Sequence, residues 1–315
     1  MRLFVSIAAY RDPDLGPTIA DCLAKAARPD DLVFGICWQH DKGEKPPAEF
    51  DRAPLRLVDC DWRDSGGACW ARAEVMKLWR GEDWLLQIDS HCRFTPDWDL
   101  ALLAQAAACG AAKPLLSANA VPFDPPAPPP PGRPTCIAFS HFDEDGIVYQ
   151  SSDYFEAGPL SPPRRARFLS AHFLFAPGAF AAEVPYDPAL YFHGEEISLA
   201  LRAFTHGYDL FHPTRHLLWH HYGRPDRAKH WLDHLRGKGV RVDWSERDAA
   251  SRARLRRLLL LGEGGAFGCG GARSLADYEA YAGVNFRALT ATEAARRGDE
   301  PPPLAAIKPA HPAQA

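Results

Sequence analysis

Apolar and polar residues along the first 110 positions follow two spacings, one typical of buried strands and one typical of helices. Short apolar runs bounded by polar residues predict strands, whereas apolar side chains three or four positions apart predict helices. The predicted strands are 2–10, 31–39, 55–60 and 83–89, and the predicted helices are 17–27, 66–79 and 96–110. Strands that alternate with helices in this way predict an α/β fold, with a mixed, mostly parallel central sheet flanked by helices.

The second half of the chain is less regular. A proline-rich segment, 121–135, is typical of an extended surface loop, while 193–207 and the arginine-rich segment 245–261 have helical spacing. The arginines of 245–261 fit a solvated helix face beside an apolar stripe. We predict one domain, residues 1–290, followed by a Pro/Ala-rich, disordered tail, residues 291–315.

Composition narrows the classes of protein to consider. The 315 residues are 46% hydrophobic, which is enough for a large core, and the net charge of −4 argues against a nucleic-acid-binding protein. No apolar run approaches the roughly 20 residues of a membrane span, and the apolar start lacks a cleavage-site pattern. The eight cysteines stand singly, with no pair at metal-binding spacing. We therefore expect free thiols and a cytoplasmic protein.

The predicted strand 83–89 ends on residues that carry chemistry. Asp89 is followed by Ser90 and His91. Ligands of open α/β sheets lie beyond the carboxyl ends of the strands, and two residues separated by one point the same way on an extended backbone. A carboxylate beside an imidazole can share a divalent cation, and this ligand pair suits Mn²⁺ better than Mg²⁺. The simpler alternative is that Asp89 caps the next turn and His91 hydrogen-bonds to it.

The residues around this motif resemble a known family. Two segments are similar to polypeptide N-acetylgalactosaminyltransferases. The first is a helix with Ala-Arg, followed by Gly-Glu, an apolar strand and "DSHC", and the second is "HGEEISLALRAFTHGYDLFHP". The blocks "FVSIAAYRDPDLGPTI", "QIDSHCRF", "VPYDPALYFHGEEISLALRAFTHGYD" and "HHYGR" resemble more closely the cytoplasmic N-acetylglucosaminyltransferases that modify hydroxyproline on a ubiquitin-ligase adaptor. The resemblance extends over about residues 2–285.

This resemblance implies a single-domain, GT-A-like fold and a retaining, metal-dependent glycosyltransferase. Such an enzyme would move N-acetylglucosamine from UDP-GlcNAc to a hydroxyl acceptor on a protein or glycan, and the sequence does not identify the acceptor. The leaving diphosphate develops negative charge, which a bound Mn²⁺ or Mg²⁺ stabilises as a Lewis acid. Asp89 and His91 would be protein ligands of this ion, which gives Asp89 a catalytic part as well.

A third metal ligand is expected from "LLWHHYGR". His220 and His221 face opposite sides of an extended strand, so one of them can reach the ion. The His-x-Tyr-x-Arg pattern of the resembling family favours His220, and a structural histidine in an aromatic cluster is the alternative. Arg224 in the same motif would meet a phosphate, or else a surface carboxylate.

The resemblance also assigns nucleotide-binding residues. In the resembling enzymes the first strand ends against uracil and ribose, so the candidates here are Ser6, Ala8, Tyr10 and Arg11. A strand-end turn with a surface ion pair remains open for the last two. Arg72 is expected on the diphosphate or uridine side, the alternative being a helix-surface arginine paired with a nearby carboxylate.

The "HGEEIS" segment begins the predicted helix 193–207. A helix start favours negative charge, which alone would explain Glu195 and Glu196. The resemblance implies that Glu195 contacts the donor sugar or positions the acceptor. We expect the helix dipole to keep it ionised, and we expect Glu196 to point about 100° away around the helix.

Other functions remain open at this point. A sugar-nucleotide-binding protein without transfer activity would retain the same donor contacts, and a transferase could use another UDP-sugar. A two-metal hydrolase fits less well, because the sequence lacks the paired ligand motifs of such sites.

Overall fold

The computed structural model describes residues 1–158 and 160–306. In these residues the strands are β1 (Leu3–Tyr10), β2 (Leu32–His40), β3 (Leu55–Asp61), β4 (Trp84–Asp89), β5 (Cys92–Phe94), β6 (Pro114–Ser117), β7 (Val121–Pro122), β8 (Thr135–Phe142), β9 (Val148–Tyr154), β10 (Arg164–Arg165), β11 (Phe173–Pro177), β12 (Asp209–His212), β13 (Leu218–His220), β14 (Val284–Asn285) and β15 (Thr290–Ala291). The helices are α1 (Leu15–Lys25), α2 (Ala68–Met76), α3 (Trp98–Ala108), α4 (Phe180–Glu183), α5 (Glu195–Thr205), α6 (His230–Asp233), α7 (Trp244–Leu261), α8 (Leu275–Ala282) and α9 (Glu293–Arg296). Each predicted strand and helix occurs, with its ends shifted by at most three residues.

The central sheet has eight strands in the order β10-β12-β6-β11-β4-β1-β2-β3. Strand β1 is parallel to β2 and β4, β2 is parallel to β3, and β6 is parallel to β12. Strand β11 runs antiparallel between β4 and β6, and β10 runs antiparallel to β12. The prediction of a mixed, mostly parallel sheet flanked by helices is confirmed.

Helices cover both faces of this sheet because its central strands are apolar on both sides. On β1, Val5 and Ile7 pack in one core with residues of α1 and α3. Phe4 points to the opposite face and packs in a second core with residues of α2, α5 and α8. Both faces are therefore buried, and the carboxyl ends of β1, β2 and β4 lie together at one edge of the sheet.

A small sheet, β5-β13-β7, extends this edge. Strand β5 follows β4 after only Ser90 and His91, and β13 pairs with β5 in antiparallel register, with His220 opposite Cys92. The backbone N–H of His221 donates to the carbonyl of His91 at 3.0 Å. The pairing therefore carries "HHYGR" from a distant part of the sequence to the end of β4.

Residues 291–306 are packed against the domain, so the prediction of a disordered tail is wrong for this stretch. Ala295 in α9 is fully buried. The guanidinium of Arg167 donates to the carbonyls of Asp299 and Glu300, at 2.9 and 3.0 Å. A buried arginine that needs carbonyl acceptors holds this segment in place. Residues 307–315 lie outside the described residues.

The cysteines and helices agree with the expectations from composition. All eight cysteines are free, and five of them are buried. None of the helices in the described residues is both long and apolar enough to cross a membrane.

Candidate active site

A cavity of about 480 Å³ opens at the carboxyl ends of the central strands. Its floor is formed by Ala8 and Tyr10 of β1, Gln39 of β2 and Asp89 of β4. Its other walls come from β9, from the start of α5 and from the segment 224–231. This is the position at which ligands bind in open α/β sheets.

Asp89, His91 and His220 form a cluster at this floor. One ligand atom from each lies within 4.8 Å of the others, and both histidines are buried. The Asp89 Oδ2 atom is 3.0 Å from His220 Nε2 and 3.4 Å from His91 Nε2. One carboxylate oxygen and two imidazole nitrogens are a donor set that suits Mn²⁺. The structure brings together the three residues predicted to bind a metal, and their binding of an ion stays a prediction.

Strand alternation separates the two adjacent histidines. His220 faces Asp89, whereas His221 turns to the other side and places its Nδ1 atom 2.9 Å from Asp14 Oδ2. The geometry is consistent with the choice of His220 over His221. His220 also packs against Tyr222, with ring centroids 4.1 Å apart, so the aromatic cluster of the alternative interpretation is present as well.

Asp12 is a residue of this site that the sequence analysis missed. Its Oδ2 atom accepts hydrogen bonds from His91 Nδ1 at 2.8 Å, Ser90 Oγ at 2.6 Å and Arg224 Nη1 at 2.7 Å. Burial alone would raise the pKa of Asp12, but the hydrogen bond from His91 and the charge of Arg224 lower this pKa below its usual range. Its position directly after β1 is the signal that could have revealed it, because the strand ends line the site.

The contacts of His91 define its tautomer. Its Nδ1–H donates to Asp12, and its Nε2 atom accepts from Arg224 Nη2 at 2.8 Å. The Nε2 lone pair therefore faces the cluster, as it must in a histidine that binds a metal through this atom. These residues fit a divalent cation, and Arg224 would have to yield its contact with Nε2 to it.

Arg72 connects the cluster to the start of α5. Its Nη2 atom donates to Asp89 Oδ1 at 2.7 Å, and its Nε atom lies 2.9 Å from Glu195 Oε1. Its side chain is only 7% exposed. Burial opposes ionisation of Asp89, but the hydrogen bond from His220, the proximity of His91 and the charge of Arg72 hold its pKa well below the usual range. The alternative of a helix-surface arginine is wrong, because α2 packs this side chain into the site.

Glu195 and Glu196 both line the cavity, and their side chains point in different directions. Glu195 faces Arg72, and Glu196 Oε1 accepts the backbone N–H of Ala171 at 3.0 Å. The cavity extends around the first turn of α5 and reaches both side chains. Burial raises the pKa of Glu195 despite the charge of Arg72, and it raises the pKa of Glu196 to about 7.

The end of β1 lines the far side of the cavity through Tyr10 and Arg11. The Tyr10 hydroxyl donates to Asp233 Oδ2 at 3.1 Å, and its ring lies 5.0 Å from that of His230. Arg11 pairs with the same Asp233 oxygen at 2.9 Å and with Asp41 at 3.0 Å. The ion pairs of the alternative interpretation are therefore present at Arg11, and both Tyr10 and Arg11 also face the cavity.

Ser6 does not reach the cavity, unlike Ala8 on the same strand. It is 1% exposed and lies two residues further inside the sheet, opposite Gln87 of β4. Two residues of strand correspond to more than about 6 Å, which is too far for a contact with a ligand at the strand end. The prediction that Ser6 binds the nucleotide is therefore wrong.

His172, Arg227 and Lys229 also line the cavity and were missed. The half-buried ring of His172 lies 4.6 Å from that of His220, and its Nε2 atom accepts the N–H of Ala120 at 2.9 Å. Arg227 and Lys229 have no ion-pair partner within the part of the chain that the structure describes. Nothing in their local sequence marks these residues, because the fold brings them to the site from separate segments.

Comparison with known proteins gives this site a context. The GalNAc-T7 crystal structure with UDP, GalNAc and Mn²⁺ is similar in fold, with a TM-score of 0.59 and 14% identity over 95% of this chain and 53% of that chain. The present chain thus spans about half the length of GalNAc-T7, and the likeness identifies the fold as GT-A. TarS of S. aureus matches with a TM-score of 0.45 and 12% identity, over 83% of this chain and 44% of that chain. A search of the curated proteins finds no match. The sequence matches the model of the family described as Glycosyltransferase (GlcNAc) over residues 2–54 and 48–288, and the chain belongs to this glycosyltransferase family.

Proposed function

We propose that this protein is a retaining, metal-dependent glycosyltransferase that moves N-acetylglucosamine from UDP-GlcNAc to a hydroxyl acceptor on a protein or glycan. The observation that carries the proposal is the Asp89, His91 and His220 cluster at the floor of the cavity. GalNAc-T7, which shares the fold, was crystallised with UDP and Mn²⁺, and the family description supports a GlcNAc donor.

Asp89, His91 and His220 would hold a divalent cation, with Mn²⁺ favoured by their oxygen and nitrogen donors. When bound, this ion supplies Lewis-acid stabilisation of the negative charge that develops on the leaving diphosphate. Asp12 would hold His91 in the tautomer that presents Nε2. In many proteins a carboxylate that accepts the other ring N–H of a metal-binding histidine orients that histidine.

Cationic side chains would bind the diphosphate beside this cluster. Arg224 contacts His91 and Asp12, while Arg227 and Lys229 line the same wall without a carboxylate partner in the described residues. A phosphate there would gain charge-assisted hydrogen bonds. Tyr10 and its neighbour His230 offer an aromatic surface for the uracil at the far side of the cavity.

The carboxylates around the cluster are engaged in contacts that disfavour a covalent nucleophile. Asp89 and Glu195 are both paired with Arg72, whose charge lowers their nucleophilicity, and Glu196 accepts the N–H of Ala171. We infer that the acceptor oxygen attacks the anomeric carbon on the face that the diphosphate leaves. The bond from this carbon to the β-phosphate oxygen breaks, and the acceptor proton passes to the departing diphosphate, so the donor configuration is retained.

Release of UDP from UDP-GlcNAc tests this proposal. The assay contains Mn²⁺ and is run with and without a cell extract as a source of acceptors. UDP release that depends on the extract supports transfer. Release of equal rate without it indicates hydrolysis, and tight binding of UDP-GlcNAc with no release under either condition indicates a binding protein. Either of the last two results would overturn the proposal.

The variant Asp89→Asn tests the metal site within the same assay. It keeps the size of the side chain while removing the anionic ligand, so Mn²⁺-dependent binding of UDP should be abolished. Circular dichroism controls for folding, because the substitution leaves Arg72 with Glu195 as its remaining anionic partner. Unchanged UDP affinity at saturating Mn²⁺ would exclude Asp89 as a ligand.

A further inference from the structure

The segment 227–241 leads from the wall of the cavity to the surface of the protein. Trp231 lines the cavity, whereas Leu232 and Leu235 do not, and these two leucines are 51% and 38% exposed. His234, which lies between them in sequence, is fully buried and fixes the turn from inside. Single exposed leucines are common in proteins, so the meaning of this pair depends on what surrounds it.

Positive charge surrounds the pair. The segment 227–241 contains five basic residues and one acidic residue, Asp233, in a chain whose net charge is −4. The carboxylate of Asp233 is turned inward, where it is 16% exposed and pairs with Arg11 at 2.9 Å. The side chains of Arg236 and Arg241 are instead 84% and 88% exposed. The charge that this segment presents to solvent is therefore positive.

Ion pairs neutralise this charge only in part. Arg236 pairs with Glu246, and Arg241 Nη2 lies 3.6 Å from Asp64 Oδ1. Both carboxylates are themselves more than half exposed, with side-chain exposures of 52% and 59%. Surface ion pairs of this kind are weak, so both guanidinium groups stay available to another anion.

Lys238 places a further positive charge directly beside an exposed leucine. Its Nζ atom donates to the carbonyl of Leu232 at 2.9 Å, and it forms no ion pair within the part of the chain that the structure describes. A bilayer with anionic lipids offers partners for both kinds of side chain, because its phosphates attract lysine and arginine and its acyl chains accept leucine. An acidic polypeptide offers partners for the cations but none for the leucines.

This surface is continuous with the opening of the cavity. The ring centroids of Trp231 and Phe192 are 5.9 Å apart, and both residues line the cavity. Phe192 is 43% exposed and so marks the opening. A protein that rests on a bilayer through Leu232 would therefore turn this opening toward the lipid headgroups.

We propose that the segment 227–241 docks the protein on membranes that contain anionic lipids. Leu232 and Leu235 enter the interface, and Arg236, Lys238 and Arg241 face the headgroups. The acceptor is then a hydroxyl presented at the membrane surface. The docking is independent of the proposed function, whereas the acceptor class rests on it.

Co-sedimentation with vesicles tests the docking. Vesicles of phosphatidylcholine alone are compared with vesicles in which part of this lipid is replaced by phosphatidylglycerol. We expect the wild-type protein to bind the anionic vesicles at least roughly tenfold more tightly, since several basic side chains contribute. Added salt should weaken this binding, because it screens the charges.

Surface variants separate the two contributions. The double variant Leu232→Ser, Leu235→Ser should bind anionic vesicles roughly tenfold more weakly than the wild-type protein, and Lys238→Gln roughly fivefold more weakly. The matched controls are Leu261→Ser, at a leucine that is 58% exposed, and Lys77→Gln, at a lysine that is 65% exposed. Lys77 follows α2 on the connection to the amino end of β4, opposite the cavity. Both controls should bind vesicles like the wild-type protein.

Three results would overturn the docking. The wild-type protein does not bind anionic vesicles, it binds both kinds of vesicle equally, or the leucine variant binds like the wild-type protein. Polyglutamate is the probe for the competing partner. Binding of polyglutamate that Lys238→Gln weakens and the leucine variant does not would assign the surface to an acidic polypeptide instead, and would also overturn the inference.

Titration with UDP at saturating Mn²⁺ keeps this test distinct from the test of the proposed function. Wild-type protein and all four variants should bind UDP equally, because the changed residues do not line the cavity. Vesicle binding without UDP binding would confirm the docking and remove the acceptor class together with the proposed function. UDP binding without vesicle binding would leave the proposed function intact and overturn the inference.

Discussion

The carboxylate of Asp12 lies 2.8 Å from the Nδ1 atom of His91 and thereby decides which ring nitrogen faces the candidate metal cluster. The hydrogen bond keeps the proton on Nδ1, so the Nε2 lone pair points toward Asp89, whose Oδ2 atom is 3.4 Å away. Asp12 thus acts on the site through another residue, although the two are 79 positions apart in sequence.

We predict that Asp12→Asn weakens Mn²⁺ binding by roughly 10- to 100-fold, because the variant lacks the carboxylate that favours the Nδ1–H tautomer of His91. Electron paramagnetic resonance of free Mn²⁺ measures this affinity without turnover. Asp14→Asn is a matched control, since Asp14 pairs with His221 and Arg93 and lies outside the cluster. Equal losses in the two variants, or no loss in Asp12→Asn, would contradict the assigned role.

A second prediction concerns the adjacent histidines. His220→Ala should raise the Mn²⁺ concentration needed for half-maximal UDP binding, because it removes a nitrogen 3.0 Å from Asp89 Oδ2. His221→Ala should leave this concentration nearly unchanged, since that ring faces Asp14. Titration of both variants with Mn²⁺ checks the choice. If only His221→Ala needs more metal, the ligand has been assigned to the wrong histidine.

The parts of this site that could be predicted depend on local periodicity. The Asp89 and His91 pair follows from strand geometry, and the same alternation places His220 and His221 on opposite sides of β13. The register of β13 against β5, which brings His220 to Asp89, is a long-range pairing with no local signal. The family resemblance, not the spacing of residues, pointed to that contact.

The residues that the sequence analysis missed or misplaced depend on contacts and depths that only the folded structure shows. Asp12 and His172 acquire their meaning from partners that are far away in sequence. Ser6 was assigned to the nucleotide because it lies near a strand end, but the depth of the sheet at that end is not visible in the sequence.

The pKa of Glu196 leads to a prediction about stability. Burial, with a contribution from the charge of Glu195, raises this pKa from 4.5 to about 7, while the Ala171 N–H, a hydrogen bond with Ser170 and the charge of Arg72 oppose the rise. Between these pH values a larger fraction of Glu196 is protonated in the folded state than in the unfolded state. The free energy of unfolding should therefore fall as pH rises from about 4.5 to 7.

Glu196→Gln should remove this dependence and gain stability relative to the wild-type protein as the pH increases. The gain at about pH 8 over about pH 4.5 is at most about 3 kcal/mol, since one pKa unit corresponds to about 1.4 kcal/mol. Urea unfolding of both proteins at several pH values between about 4 and about 8 measures the difference. A difference in stability that stays constant across this range would show that Glu196 titrates normally.

Glu195 is the carboxylate that we expect to matter most for turnover. As the bond to the diphosphate breaks, the anomeric carbon gains positive charge, and an anion near the sugar stabilises that charge more in the transition state than in the ground state. Arg72, at 2.9 Å, opposes the rise in the pKa of Glu195 and so favours its ionised form. Glu195→Gln should therefore lower kcat by roughly two orders of magnitude, or about 2.7 kcal/mol of barrier, with UDP affinity nearly unchanged.

Glu196→Gln is the matched control and should reduce kcat less, because Glu196 forms no ion pair in the described part of the chain. Its raised pKa of about 7 also leaves it largely protonated in weakly acidic solution. Steady-state kinetics beside UDP titrations of both variants check this order, and a larger loss of kcat in Glu196→Gln would transfer the role to the second carboxylate.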